Sequence, residues 1–411
     1  MRNMYDIFKE RGFIEQITDE NMLMELLSKP ITCYIGFDPT AKSLHVGSLL
    51  PIMSLAHMQR EGHRPIALVG GGTSLVGDPS GKDEIRAVMT REEIDINAEG
   101  IKRQLSRFID FTNGKALMLN NADWLAPLNY IDFLRDIGRH FSVNRMLAAE
   151  SYRQRLETGL SFLEFNYMLL QAYDFWHLYK NYNCLLQMGG NDQWGNILAG
   201  ADLTRRIEGK IIHGLTFPLI TTADGYKMGK TQKGAVWLDP ELTSPYEYYQ
   251  YWVNIDDRDV RRFLSYFTFL PMHEIEKLSS LKGENLREAK DVLAYEATKI
   301  CHGQEAADNA RSSARQLFSQ GIIKDIGAIP TYSITRNDLG EGIEAYILFQ
   351  KTGLCKTRSE ARRLISQRGA YINGQTVPSF ETIVGPDDIQ SNIILLRTGK
   401  KKYLRVHIQN S

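Results

Sequence analysis

A turn between a predicted strand and a predicted helix carries the first residues whose types could do chemistry. The stretch YIGFDPTAKSLHVGS, residues 34–48, leaves an apolar run and passes Asp38, Thr40, His45 and Gly47 before a helix-like pattern begins. Hydroxyl and imidazole groups donate hydrogen bonds to phosphate oxygens, and the N–H groups at a helix start favour the same negative charge. A glycine lets a flat base or a phosphate approach the backbone. The pattern predicts a nucleotide site, and a purely structural turn is the alternative.

Two further loops supply the positive charge that such a site needs. GGGTSLVGDPSGKDEIR, residues 70–86, places Asp78, Lys82 and Arg86 after a glycine-rich turn. It lacks the G-x-x-x-x-G-K-[ST] pattern of a P-loop, and a plain turn with a solvated helix start is the alternative. TADGYKMGKTQKGAVWL, residues 222–238, is rich in lysines that suit the charge on a departing polyphosphate. Its candidate residues are Lys227, Lys230, Thr231 and Lys233.

The other residue types that signal covalent or metal chemistry do not occur in a recognisable pattern. We find no nucleophile–base pair in these loops and no H-E-x-x-H or D-x-D-x-D motif, so we expect no protein-bound metal site. The four cysteines are scattered without a C-x-x-C pair, which argues against a zinc site or a disulfide framework and favours a reducing, cytoplasmic setting. They are Cys33, Cys184, Cys301 and Cys355.

The elements that must hold these loops follow a strand–helix–strand order. ITCYIGF predicts a strand, LLPIMSLAHMQREG a helix and RPIALVGG a second strand, and NCLLQMGG predicts a later buried strand. This order is typical of a parallel α/β sheet, in which ligands bind beyond the carboxyl ends of the strands. The residues between the later strands, about 95–182, are helical in pattern. The amino-terminal residues 1–20 predict one amphipathic helix rather than a secretory signal.

The second half of the chain changes character twice. Residues from about 240 to 318 keep a period near 3.6 and predict a mostly helical domain. Residues 321–344 bring glycines and a proline without periodicity, which predicts a linker. Residues 345–411 predict a small α+β module, with a helix in SEARRLISQRG and strands in SNIILLR and KYLRVHI.

Charge is distributed unevenly along the chain. The 411 residues contain 49 Lys and Arg and 49 Asp and Glu, a net charge of zero. Residues 351–411 alone carry 11 basic and 4 acidic residues, a local charge of +7. A basic end on a neutral protein indicates a polyanionic partner, and a solvated basic surface is the alternative. No apolar run approaches the length that spans a bilayer, so we expect no membrane partner.

Several of these stretches together resemble a known family. HVGS at 45–48 resembles the HIGH signature of class I aminoacyl-tRNA synthetases, and KMGKT at 227–231 resembles their KMSKS loop. YIGFDPTAKSLHVG, YMLLQAYDF and LQMGGNDQWGNI are similar to the bacterial and organellar type of tyrosyl-tRNA synthetase. Ser48 replaces the last histidine of HIGH, and Gly229 replaces the serine of KMSKS. We expect both loops to keep their function.

The resemblance implies a role for each matching residue in activating L-tyrosine with ATP and Mg²⁺. The residues implied in catalysis are Thr40, His45, Ser48, Lys82, Arg86, Lys227, Lys230 and Thr231. Those implied in tyrosine binding are Tyr34, Asp78, Tyr167, Gln171, Asp174, Gln187 and Gln193. Those implied in ATP binding are Asp38, Gly47, Gly189, Gly190, Asp192 and Lys230. Tyr34 and Asp174 would bind the phenolic hydroxyl.

The resemblance also implies the domain organisation and the macromolecular partners. It implies a Rossmann-type catalytic domain at 1–222, with helices at about 120–165 forming a homodimer interface. The KMSKS-type loop and a helical domain would occupy 223–320. Residues 345–411 resemble the S4 RNA-binding module and would bind tRNA(Tyr). The residues implied in that binding are Lys356, Arg358, Arg362, Arg363 and Arg368.

Three other functions compete with this interpretation. A tryptophanyl-type synthetase would have no use for two polar partners aimed at a phenol. A non-catalytic RNA-binding paralogue would be expected to have lost Lys227, Lys230, His45 or Asp192, and all four are present. A nucleotidyltransferase acting on a small molecule would leave the S4-like module unexplained.

Overall fold

The computed structural model of the chain forms two compact units, Met1–Ala307 and Asp308–Ser411. It describes residues 2–79, 89–149, 152–153, 155–156, 159–225, 228–231, 234–319, 331–390, 392–399 and 402–409. No helix within these ranges is both long enough and apolar enough to cross a membrane.

The first unit is built on a six-stranded sheet. Its strands are β1 (Gln16–Ile17), β2 (Thr32–Phe37), β3 (Arg64–Val69), β4 (Leu117–Asn120), β5 (Cys184–Gly190) and β6 (His213–Phe217). They lie in the order β1-β6-β5-β2-β3-β4, and only β1 runs antiparallel to its neighbour. The carboxyl ends of the five parallel strands therefore meet at one edge. The predicted strands β2, β3 and β5 are confirmed.

Helices cover the sheet and continue beyond it. In the first unit they are α1 (Met4–Arg11), α2 (Glu20–Leu26), α3 (Leu49–Arg60), α4 (Arg91–Leu105), α5 (Ala122–Leu125), α6 (Tyr130–Asp136), α7 (Val143–Leu147), α8 (Phe162–Phe165), α9 (Tyr167–Tyr182) and α10 (Trp194–Glu208). The helical stretch predicted after residue 240 is confirmed as α11 (Pro245–Val253), α12 (Val260–Phe267), α13 (Met272–Ser279), α14 (Leu286–His302) and α15 (Gln304–Ser319). Two short strands, β7 (Lys230–Thr231) and β8 (Gly234–Ala235), form a hairpin before them.

Two of the local predictions for the first unit are wrong. Residues 1–20 do not form one helix, because β1 pairs with β6 between α1 and the start of α2. Residues 95–182 are not entirely helical, because β4 adds a strand at the edge of the sheet beside β3. Both strands are too short, at two and four residues, for hydrophobic periodicity to reveal them.

Buried side chains pack helix α9 against strands β2 and β3. Tyr34 on β2 is 1% exposed, and its ring packs 5.3 Å from that of Phe175 on α9. Ile66 and Leu68 on β3 belong to the same apolar cluster. Helix α9 is therefore held against the strands by buried aromatic and aliphatic area. This contact determines which face of α9 points to the edge of the sheet.

The second unit contains its own sheet and core. Its strands are β9 (Thr331–Thr335), β10 (Ile343–Glu344), β11 (Ala370–Ile372), β12 (Gln375–Thr376), β13 (Ile383–Val384), β14 (Ile393–Thr398) and β15 (Lys402–Gln409). Five of them form a sheet in the order β12-β11-β14-β15-β9. Its helices are α16 (Arg336–Leu339), α17 (Ala345–Lys351) and α18 (Arg358–Ser366). The predicted helix and the two predicted strands are confirmed.

The predicted linker at 321–344 is wrong for its second part. Strand β9 pairs in parallel with β15, from Thr331 opposite Arg405 to Thr335 opposite Gln409. Helix α16 and strand β10 also fall inside the predicted linker. Residues 331–344 are thus part of the folded unit, because their backbone is paired with strands that follow much later in the chain. Residues 320–330 lie outside the described residues. The other predicted domain boundaries remain predictions.

We expect Arg11 to be a major contributor to the stability of the first unit. Its buried guanidinium donates hydrogen bonds to the carbonyls of Ser265, Thr268 and Leu270, at the end of α12, over 2.8, 3.0 and 2.5 Å. Arg11→Met should lower the free energy of unfolding by about 2–3 kcal/mol, because two buried carbonyls and a partly buried one lose a charged donor. Urea unfolding followed by tryptophan fluorescence measures this change.

The matched control is Arg103→Met, on the exposed side of α4. It should change the free energy of unfolding by less than about 0.5 kcal/mol. Equal unfolding midpoints for the two variants would contradict the assignment.

Candidate active site

A large cleft lies at the edge where the parallel strands end. Its volume is about 1410 Å³, and residues of β2, β5 and β6 and of the loops after β2 and β3 line it. This is where open parallel sheets bind ligands, since the loops diverge there and leave a crevice. The sequence predicted a site at this edge from two of those loops.

Most of the residues that the sequence singled out meet in this cleft. They are Tyr34, Asp38, Thr40, His45, Gly47, Ser48, Asp78, Tyr167, Gln171, Asp174, Gln187, Gly189, Gly190, Asp192 and Gln193. Lys82, Arg86, Lys227 and Lys233 lie outside the described residues. The backbones of Lys230 and Thr231 form β7, and their side chains are likewise outside the description.

The deep end of the cleft holds a buried carboxylate, Asp174 of α9. It is 2% exposed, and it accepts hydrogen bonds from Asn121 Nδ2 at 2.8 Å and from Trp124 Nε1 at 2.7 Å. Burial raises the pKa of Asp174 to about 7, although the two donors act in the opposite direction. A carboxyl group with this pKa changes its charge near neutral pH.

Tyr34 shares this end of the cleft with Asp174. Burial, and next the nearby charge of Asp174, raise the pKa of Tyr34 well above its ordinary value, so the phenol stays neutral. None of the described residues hydrogen-bonds its hydroxyl. Among the described side chains, the buried Oε1 atoms of Gln171 and Gln187 also lack a hydrogen-bond partner, and both residues line the cleft. Buried polar atoms are costly when unpaired, so this end of the cleft suits a polar ligand.

The two residues that donate hydrogen bonds to Asp174 are not among the site residues predicted from the sequence. Asn121 and Trp124 follow β4, the edge strand that periodicity did not reveal. The backbone N–H of Asn121 donates to the carbonyl of Val69 over 3.0 Å, and its Oδ1 accepts from the N–H of Gly72 over 2.7 Å. The stretch LMLNNADW, an apolar run followed by polar residues, is the signal that could have identified them.

A second polar cluster lies on another wall of the cleft. Gln193 Nε2 donates to Asp78 Oδ2 over 2.7 Å and to Asp192 Oδ2 over 3.2 Å. Asn196 Nδ2 donates to Gln193 Oε1 over 3.1 Å, which leaves the amide in one orientation. The two carboxylates make this wall negative, and it can bind an ammonium group or hydroxyl groups.

The turn after β2 also lines the cleft. His45 Nδ1 accepts a hydrogen bond from the N–H of Gly47 over 3.0 Å, so a neutral ring carries its proton on Nε2. The His45 ring lies 6.1 Å from that of Trp237, near the end of the third motif loop, residues 222–238. The first and third motif loops of the sequence are therefore neighbours in the fold.

The described side chains offer no metal-binding group. Within the described ranges, no three His, Cys, Asp or Glu side chains are arranged to hold a metal ion.

The five basic residues predicted to bind RNA belong to the second unit, and all five are exposed. Among them, the guanidinium of Arg362 lies 4.1 Å from the centre of the Tyr346 ring, which orients it by a cation–π contact.

Comparisons with known proteins identify the class. Residues 26–319 match the family described as tRNA synthetases class I (W and Y), and residues 320–406 match the SYY-like C-terminal domain of tyrosine–tRNA ligase. The chain belongs to the class I tRNA synthetases of this tryptophan and tyrosine group, and it has their fold.

The similar proteins within this class are tyrosine–tRNA ligases. The tyrosine–tRNA ligase of Syntrophus aciditrophicus is 57% identical, and that of Clostridium botulinum 54%, each over all of both chains. Within the class, the chain is a member of the bacterial tyrosine–tRNA ligases. A solved structure of a truncated mitochondrial tyrosyl-tRNA synthetase from Aspergillus nidulans is 33% identical, with a TM-score of 0.70, and covers 77% of this chain and 95% of its own.

We expect the affinity for tyrosine to rise with pH through about 7. Asp174 becomes a full carboxylate over this range, and a carboxylate accepts the hydrogen bond of a phenol better than a protonated carboxyl does. Calorimetric titration with tyrosine at pH 6, 7 and 8 should show a dissociation constant that falls by about tenfold.

The variant Trp124→Phe separates this explanation from a general pH effect. It removes one of the hydrogen bonds that lower the pKa of Asp174, so the midpoint of the pH dependence should move upward. A pH-independent affinity, or a midpoint that does not move in Trp124→Phe, would contradict the role of Asp174.

Proposed function

We propose that this chain activates L-tyrosine with ATP in the cleft and then transfers tyrosine to tRNA(Tyr). The observation that carries the proposal is that the Tyr34 hydroxyl and the Asp174 carboxylate both lie at the buried end of the cleft. A site that buries these groups loses hydrogen bonds when the substrate lacks a hydroxyl group. Full-length similarity to tyrosine–tRNA ligases supports the same substrate.

The tyrosine substrate would lie between the two polar clusters. Its phenolic hydroxyl would donate to Asp174 and accept from Tyr34. Its ammonium group would bind Tyr167, Gln171 and Asp78, at a wall that Asp192 also makes negative. Gln187 and Gln193 would also line the tyrosine pocket. This orientation points the carboxylate of tyrosine towards the turn after β2.

ATP would lie along that turn. Asp192, with Gly189 and Gly190 beside it, would contact the ribose, Asp38 would form part of the wall, and Gly47 would leave room for the adenine. The triphosphate would be held by hydroxyl, imidazole and ammonium groups. These are Thr40, His45, Ser48, Lys82, Arg86, Lys227, Lys230 and Thr231. Mg²⁺ would enter with ATP as its counter-ion.

The first step is a displacement at phosphorus. A carboxylate oxygen of tyrosine forms a bond to the α-phosphorus while the bond to the pyrophosphate oxygen breaks, and tyrosyl-adenylate remains in the cleft. The leaving pyrophosphate gains negative charge, which the cationic side chains stabilise. In the second step the terminal adenosine hydroxyl of the tRNA attacks the tyrosyl carbonyl, and AMP leaves. Neither step needs an enzyme nucleophile.

The second unit would bind tRNA as an S4-like module. The exposed cations Lys356, Arg358, Arg362, Arg363 and Arg368 support this role, because phosphate contacts dominate binding to RNA. We also propose a cytoplasmic location. All four cysteines are buried and free, which fits a reducing compartment.

The chain would act as a homodimer through the helices at about 120–165. Several large apolar side chains of this region are exposed, among them Ile131 at 67% and Phe162 at 70%. An exposed apolar patch of this kind is typical of a subunit contact. A second copy of the chain would cover it.

Two competing functions explain less. A tryptophan-specific enzyme would leave Tyr34 and Asp174 without a phenol to bind. A non-catalytic RNA-binding protein would not require the cleft residues to remain intact, and His45, Asp192 and Asp174 all line it.

The direct test is ATP–pyrophosphate exchange with each of the twenty amino acids. Purified full-length protein is supplied with ATP, Mg²⁺ and labelled pyrophosphate in the absence of tRNA. We expect exchange with tyrosine only, because phenylalanine cannot satisfy Asp174 and Tyr34. The variant Lys230→Ala should lower the exchange rate by about 100-fold or more, since it removes a charge that stabilises the leaving group. Folded protein that exchanges with no amino acid would exclude the proposed activity.

The homodimer is tested by placing a negative charge on the exposed apolar surface of the helices at about 120–165. Phe162→Glu should convert the protein to a monomer in analytical ultracentrifugation, because a buried unpaired carboxylate is costly. The matched control is Ile211→Glu, which changes an equally apolar, 59% exposed residue outside the proposed interface. A monomeric wild-type protein, or identical behaviour of the two variants, would contradict the interface.

A further inference from the structure

The third motif loop is attached along the turn that carries His45. The N–H of Val46 donates to the carbonyl of Val236 over 2.9 Å, and the N–H of Leu238 donates to the carbonyl of Leu44 over 2.9 Å. Between these bonds, His45 and Trp237 form a bridge of the antiparallel kind. The backbone of residues 236–238, at the end of this loop, is therefore hydrogen-bonded to the residues on both sides of His45.

Gly229 lies at a close approach between the two loops. Its φ of +97° is a conformation that side chains rarely adopt. A Cβ atom built on Gly229 would lie 2.6 Å from His45 Nδ1 and 3.1 Å from the backbone nitrogen of Gly47. From the other side, a Cβ atom on Gly47 would lie 2.8 Å from the carbonyl oxygen of Met228. Neither glycine can accept a side chain while the loops stay in place.

The His45 ring cannot simply move aside. Its Nδ1 is engaged by the N–H of Gly47 at 3.0 Å, and the ring also faces Trp237. A side chain at position 229 would therefore displace the loop instead of the ring. Lys230 follows Gly229 directly, so any such displacement moves the backbone that carries this lysine.

We propose that Gly229 is a positioning residue. Because it has no side chain, the third motif loop can pack against His45, and this contact sets the distance between His45 and the backbone of Lys230, the two residues proposed to bind the phosphates. This proposal rests on the proposed tyrosine activation. Glycine stands where the KMSKS pattern has serine because, in this chain, the His45 ring fills the space that a Cβ atom would need. A displacement of about 1 Å at such a site can cost about 100-fold in rate.

Three glycine variants separate crowding from backbone strain. Gly229→Ala and Gly229→Ser should each lower kcat for tyrosine-dependent pyrophosphate exchange by about 100-fold. The KM for tyrosine should stay within about twofold, since the phenol pocket is untouched. The matched control is Gly225→Ala in the same loop. Gly225 has a φ of +84°, but nothing lies within 4 Å of its Cβ position, so we expect a loss of less than about fivefold.

A double-mutant cycle with His45→Ala tests the contact itself. His45→Ala will be slow on its own, but it removes the ring that the new methyl group would meet. In that background, Gly229→Ala should cost less than about fivefold, as Gly225→Ala does. A rescue of this kind is not expected of a change that merely unfolds the loop.

The outcomes distinguish failure of this proposal from failure of the proposed function. A wild-type protein without exchange would remove the proposed function and this proposal with it. An active wild type in which Gly229→Ala is no slower than Gly225→Ala would overturn the positioning role alone. An equal cost of Gly229→Ala with and without His45 would also overturn it.

Discussion

The burial of the Asp174 carboxyl group is the constraint on which the site depends. An ionised carboxylate that is 2% exposed is costly unless donors surround it. Its donors, Asn121 and Trp124, come from the end of β4, whereas Asp174 itself comes from α9. Asn121 is in turn held by the loop after β3. One buried group therefore connects the segments after β3 and β4 to helix α9 at the deep end of the cleft.

The cleft is polarised by the positions of its charged and polar groups. Asp174 lies at the buried end, and Asp78 and Asp192 lie on the wall where Gln193 joins them. The turn with His45 and the backbone of the lysine loop lie on another side. The proposed substrate has a phenol, an ammonium group and an attacking carboxylate. Its positive end would meet carboxylates, and its reacting end would meet donors. Electrostatic positioning of this kind suits a reaction without a covalent enzyme intermediate.

The second unit shows how non-local pairing changes a local interpretation. Residues 331–335 follow a stretch with glycines and a proline but no periodicity, and they form a strand because β15 offers a parallel partner. The basic helix α18 packs on the same core through Ala361 and Ile365, which are buried. Its apolar positions point inward, and its arginines remain exposed. The same amphipathic pattern thus produces both the packing and the cationic surface.

The sequence by itself determined the strand–helix–strand order, the three motif loops, the family resemblance and the basic end of the chain. Each of these can be predicted from local patterns, namely apolar periodicity, turn residues and motif spacing. Only the tertiary structure revealed β1, β4 and β9, the donors Asn121 and Trp124, and the contact of Gly229 with His45. These three strands lie at sheet edges, and they form because a strand distant in sequence supplies hydrogen-bond partners. The raised pKa of Asp174 and the crowding at Gly229 likewise depend on atoms brought together from distant parts of the chain, which no local pattern can specify.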